Sequence, residues 1–128
     1  MLVRRFPPAD RPDPKSWASA TRQHQADLLR IQVEALRRRK YRPTGGFALD
    51  RLLDGAPAIS GSLLDHRRVP KPAYGAVAAA CAETIVVADP PPLSITPRST
   101  LQCQVLVVHD GRTPIDHVRV DAVLTVAG

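Results

Sequence analysis

The chain has 128 residues, 13 of them proline, with only 4% aromatic side chains and a net charge of +6. That length suits one ordinary domain or two partial ones, but few large rings leave few strong core anchors. The two cysteines are too few for a disulfide framework or a metal motif, and no run of about 18 apolar residues points to a membrane-spanning helix.

The charge is unevenly placed. Residues 1–42 hold eleven Lys/Arg against four Asp/Glu, whereas residues 43–128 hold seven against eight. A basic N-terminal part invites comparison with nucleic-acid binders. Arg4 and Arg5 are followed by Phe6-Pro7-Pro8 and not by an apolar core, so no signal peptide is expected. With no export signal, the default location is the cytoplasm.

Pro7, Pro8, Pro12 and Pro14 predict an extended lead-in over residues 1–14. A long helix is predicted over 15–40, with Asp13 as N-cap and Pro14 in the first turn. Trp17, Leu28, Leu29, Gln32, Val33, Ala35 and Leu36 form its apolar stripe. Arg22, Gln25, Arg30, Glu34 and Arg37 fall on the opposite face. Pro43-Thr44-Gly45-Gly46 ends the helix. Phe47-Ala48-Leu49 reads as a short strand that Leu52-Leu53 extends. A second helix is predicted over 70–82, with Tyr74, Val77, Ala78 and Cys81 on one face.

From residue 84 the pattern turns to strands. Thr84-Ile85-Val86-Val87-Ala88 is β-branched, residues 101–108 alternate over their first half, and residues 118–126 alternate clearly. Three strands separated by turns resemble the opening of an antiparallel sandwich, but are too few to close one. A boundary near residue 83 follows, with an α/β unit over 1–83 and a partial β-sandwich over 84–128.

Candidate chemistry is sparse. Glu34 and Glu83 are the only glutamates, and no pattern makes them face each other as a glycosidase pair must. The aspartates fall mostly in turns, where they bond their own backbone. His24, His66, His109 and His117 show no metal-ligand spacing. Ser60 and Ser62 lack a nucleophile elbow, and Gly45-Gly46 is no phosphate loop. The run from Arg37 to Arg42 is the strongest nucleic-acid signal, but it carries a single aromatic, Tyr41. A basic last turn is also ordinary helix-end electrostatics.

Three stretches taken in order change this picture. They are Arg37-Arg38-Arg39-Lys40-Tyr41-Arg42-Pro43-Thr44-Gly45-Gly46-Phe47, Pro57-Ala58-Ile59-Ser60-Gly61-Ser62-Leu63-Leu64-Asp65-His66, and Pro70-Lys71-Pro72-Ala73-Tyr74. Together they resemble the end of the catalytic region in β-mannosidase-like members of glycoside hydrolase family 2. The resemblance spans roughly residues 7–125. It implies the last elements of a (β/α)8 TIM barrel over 1–83 (long helix, last strand, closing helix). The first strands of an immunoglobulin-like β-sandwich would follow over 84–128, both parts incomplete.

The resemblance implies retaining hydrolysis of β-linked sugars by two glutamates, one following Asn and one in a Thr-Glu-Phe/Tyr-Gly context. Neither context occurs here, so no catalytic residue is assigned and no activity is expected of the chain alone. Asp54 matches the aspartate that commonly closes the last barrel strand, which makes it the candidate sugar-binding residue. A turn-forming role for Asp54 is the competing reading. Gly61 stands where the family typically has Trp, and Asp50-Arg51 where its strand is more apolar. No cofactor or metal is implied. A carbohydrate partner is expected only within a complete enzyme, which a separately encoded catalytic chain could complete. The alternative is a small basic module that binds nucleic acid or an acidic partner through Arg37 to Arg42.

Overall fold

The computed structural model describes residues 2–10, 13–90, 92, 94–96 and 98–123. The described elements are three α-helices, a short 3-10 turn at Pro8–Asp10 and two strands. The helices are α1 (Leu2–Arg5), α2 (Pro14–Arg37) and α3 (Pro72–Ala80). The strands are β1 (Thr84–Ala88) and β2 (Val105–His109).

Helix α2 starts where its sequence says it should. The Asp13 carboxylate accepts from the N–H groups of Lys15 (3.2 Å) and Ser16 (3.0 Å), which satisfies two donors that have no partner within the helix. The lead-in differs from expectation. Residues 2–5 form a helical turn, and the Trp17 indole ties this segment to α2 by donating to Phe6 O at 2.8 Å.

The buried face of α2 also differs from the stripe read from hydrophobicity. Thr21, Ala26, Val33 and Arg37 are its buried residues, while Leu28 and Leu36 are exposed. Helix α3 packs against this face with Ala73, Val77 and Ala80 buried. Ala26, Leu63, Ala73 and Val77 make the core, with Leu29 and Ala76 packed against it. Val33 and Leu29 of the expected stripe thus face inward, whereas Leu28 and Leu36 do not.

The sheet consists of β1 and β2, paired antiparallel with Ile85 opposite Val108 and Val87 opposite Leu106. Ile85 and Val87 face inward, as the alternation of β1 requires.

These elements overturn the expected fold of barrel end plus sandwich start. Phe47-Ala48-Leu49 forms no strand, and Leu53 and Leu64 make only isolated bridges. A barrel strand is held by parallel neighbours on both sides, and none of the described residues supplies them. On the other side of residue 83, residues 118–123 are not in a strand, and residues 124–126 of that expected strand lie outside the described residues. A two-stranded ribbon is what remains. Among the described residues, no helix is long and apolar enough to cross a membrane.

Candidate functional site

The loop between α2 and α3 folds around four polar side chains. Asp54, Ser62 and Lys71 are buried, and Ser60 is half-buried. Lys71 immediately precedes α3, so the start of that helix fixes its backbone. Its ammonium donates to Ser62 Oγ at 2.7 Å and lies 2.6 Å from Asp54 Oδ2, an ion pair set off the hydrogen-bond line. Ser60 Oγ donates to the other carboxylate oxygen of Asp54. Ser62 Oγ donates to Leu64 O at 2.8 Å, and Ser60 Oγ accepts from Ser62 N at 3.1 Å.

Helix α2 closes the cluster from outside. The Gln25 amide donates to Gly61 O at 2.8 Å and to Ser62 O at 2.9 Å. Backbone bonds complete it, with Asp54 N donating to Leu64 O and Lys71 N to Leu63 O. Lys71 above all, then Ser60 and Ser62, holds the Asp54 carboxyl well below the usual carboxylate range, against the opposing push of burial.

Asp54, the sequence candidate for sugar contact, therefore spends its carboxylate inside the protein, 5% exposed. The turn-forming role falls to Asp65, which accepts from the N–H groups of Arg67 (2.8 Å) and Val69 (2.9 Å). The two backbone donors, Val69 foremost, lower the Asp65 carboxyl.

Beside the cluster runs a groove of about 880 Å³ between the N-terminal segment, α2 and the loop. Leu28, Leu29 and Ile59 give it apolar surface, Arg4, Arg5 and Arg22 give it positive charge, and Asp50 adds one negative charge. Gly61 lies along it, and a Cβ at this position would meet no neighbouring atom within 4 Å.

The basic run is largely consumed within the molecule. Arg37 is buried, not on the polar face, and donates to Ala80 O (2.5 Å) and Ala82 O (2.7 Å) at the end of α3. It also pairs with Asp110 at 2.8 Å, which Lys40 joins. Arg38 pairs with Asp89 at 2.6 Å. Lys40 and then Arg37 lower the Asp110 carboxyl, and Arg38 lowers that of Asp89. Arg39 and Arg42 stay exposed. Among the described residues, only these two cations of the run have no ion-pair partner, and two make a poor phosphate-tracking surface, since counterion release scales with the number of phosphates neutralised.

The glutamates are not brought to a shared site. Glu34 lies 4.0 Å from Arg30 on the same helix. Glu83 is exposed, and its carbonyl accepts from Asp110 N. Neither lines the groove or the smaller cleft of about 230 Å³ beside Lys40. Cys81 and Cys103 are free, exposed thiols. Among the described residues, no cluster of three His, Cys, Asp or Glu could hold a metal.

Sequence reasoning missed Lys71 and Gln25 as site residues. Both sat in view, Lys71 inside a Pro-Lys-Pro stretch and Gln25 on the polar side of α2. The available signal was Lys71 itself, a lone cation just before an apolar helix. Comparison with protein-family models, with curated proteins and with solved structures finds no match to this chain.

Proposed function

We propose that this chain is a non-catalytic segment of a β-mannosidase-like glycoside hydrolase family 2 protein, related to retaining enzymes of β-linked sugars and without turnover of its own. One observation carries the reading. The three stretches that bear the resemblance supply the side chains that interlock the molecule. Arg37 comes from the first, Ser60 and Ser62 from the second, and Lys71 from the third, with Asp54 between them. Ser60, Ser62 and Lys71 close one buried cluster with Asp54, and Arg37 separately braces the end of α3 and Asp110, so each of the three stretches supplies a polar side chain whose partners lie elsewhere along the chain.

Gly61 gives secondary support. Its backbone is not in the left-handed region, and a Cβ at this position, where the family typically carries Trp, would meet no neighbouring atom beside the groove.

Retaining hydrolysis requires two carboxyl groups about 5–5.5 Å apart across the sugar bond. Here Glu34 pairs with Arg30, and Asp54 is committed to Lys71. No release of aryl alcohol from an aryl β-mannoside or β-glucoside is expected from the purified chain. Turnover that Asp54→Asn abolishes would sink the non-catalytic assignment. Relatedness has its own test in the genomic reading frame before Met1. The reading expects codons for Asn-Glu and Thr-Glu-Phe/Tyr-Gly contexts there, and a frame encoding neither would remove its basis.

A further inference from the structure

Residues 117–123 read His-Val-Arg-Val-Asp-Ala-Val. Val118, Val120 and Ala122 alternate with Arg119 and Asp121, a strand pattern with one apolar and one charged face. In the structure none of these residues is in a strand. Val118 and Val120 are 50% and 41% exposed. Arg119 Nε lies 3.0 Å from Asp121 Oδ1, which puts both charged side chains on one side of the chain, as extended backbone does. A strand-patterned segment with no ladder partner among the described residues is a template for pairing with another chain.

The order of the residues says which chain. Laid antiparallel against itself about Val120, the segment places Arg119 opposite Asp121 of the second copy, and Asp121 opposite that copy's Arg119. Val118 meets Ala122, and Val120 meets Val120. Directly opposed residues share a face, so both charge pairs are of opposite sign and the apolar residues meet apolar ones. Parallel pairing in register would instead set Arg119 on Arg119 and Asp121 on Asp121, which is destabilising. A patch complementary to its own two-fold image is what an isologous dimer needs.

We propose that the chain self-associates through antiparallel pairing of residues 118–122 with the same residues of a second copy, centred on Val120. The proposal stands apart from the glycosidase reading. The interface is short, and the dimer is accordingly weak and concentration-dependent.

Sedimentation equilibrium of the full chain tests it, in reducing buffer because Cys81 and Cys103 are exposed thiols. A reversible monomer–dimer equilibrium is expected. Arg119→Asp alone, or Asp121→Arg alone, turns both cross-strand pairs into like charges and weakens the dimer by roughly tenfold or more. Combining both substitutions in one chain restores it, as does mixing the two single variants in equal amounts. A monomer at every concentration overturns the proposal. So does an association that the single variants leave unchanged, or one that neither the double variant nor the mixture restores.

Discussion

Two ion pairs in this protein are alike in chemistry and opposite in setting. Lys71 and Asp54 are 2% and 3% exposed, enclosed by Ser60, Ser62 and α2, whereas Arg119 and Asp121 are 87% and 71% exposed. The first belongs to a region, residues 54–80 packed on α2, where polar groups have lost water and must find one another. The second belongs to residues 89–123, where β2 is the only regular element described and most side chains keep their water. A pair removed from water makes each partner obligatory to the other, and a pair in water leaves both free to change partners. The buried region thus defines a structure, while the exposed one offers a surface.

The contrast breaks first at Lys71. Lys71→Met strands the Asp54 carboxylate without a counter-charge. The expected outcome is a fall in Tm of roughly 10–20 °C, read by circular dichroism. Asp54→Leu combined with Lys71→Met recovers most of that loss, because a well-packed apolar pair can replace a buried ion pair. A double variant as unstable as the single one would show that the ions, and not their mutual dependence, hold the loop.

Arg37 comes next. Arg37→Ala leaves Ala80 O and Ala82 O without their donor and removes a counter-charge from Asp110, at a cost of about 3 kcal/mol in denaturant unfolding. Arg37→Lys recovers little, since one ammonium cannot reproduce the fork that reaches the carbonyls and the carboxylate together.

Acid offers a further test. The carboxyls of Asp54, Asp65, Asp89 and Asp110 are all lowered in the folded chain. A depressed folded value means the stabilisation is fully present above the unfolded carboxylate value of about 4 and is lost as pH falls below it. Stability is therefore expected to be flat with respect to these groups from neutral pH to about pH 5, and to decline steadily below about pH 4. Asp54→Asn removes part of that decline. An acid profile identical to that of the parent chain would show that the buried carboxylate takes no part in it. The smallest effect belongs to Arg119→Ala, which changes monomer stability by no more than a few tenths of a kcal/mol, because the pair it breaks is exposed.

Much of the local structure was legible in the residues. Asp13 and Pro14 mark the start of α2, and β1 forms over the five residues whose β-branching announced it. The second helix begins at Pro72, one of the two prolines expected near its start. These features depend on neighbours within a turn or two, so the sequence carries them directly. The helix stripe was misread because hydrophobicity ranks Leu28 and Leu36 above Thr21 and Ala26. Val33 is buried and Leu29 packs against the core, but which other residues face inward is set by where α3 and the loop meet the helix.

The larger architecture and the site were not legible in the same way. Phe47-Ala48-Leu49 has the composition of a strand but lacks the flanking strands that would bond it. Arg37 looked like a solvated charge and is a buried brace, because its partners stand 43 to 73 residues away. What the sequence determined by itself was where α2 and α3 begin and that Thr84–Ala88 favours extended backbone. Only the tertiary structure decided that Asp54, Ser60, Ser62 and Lys71 would close on one another, because burying any one of these polar groups is unfavourable until the others arrive.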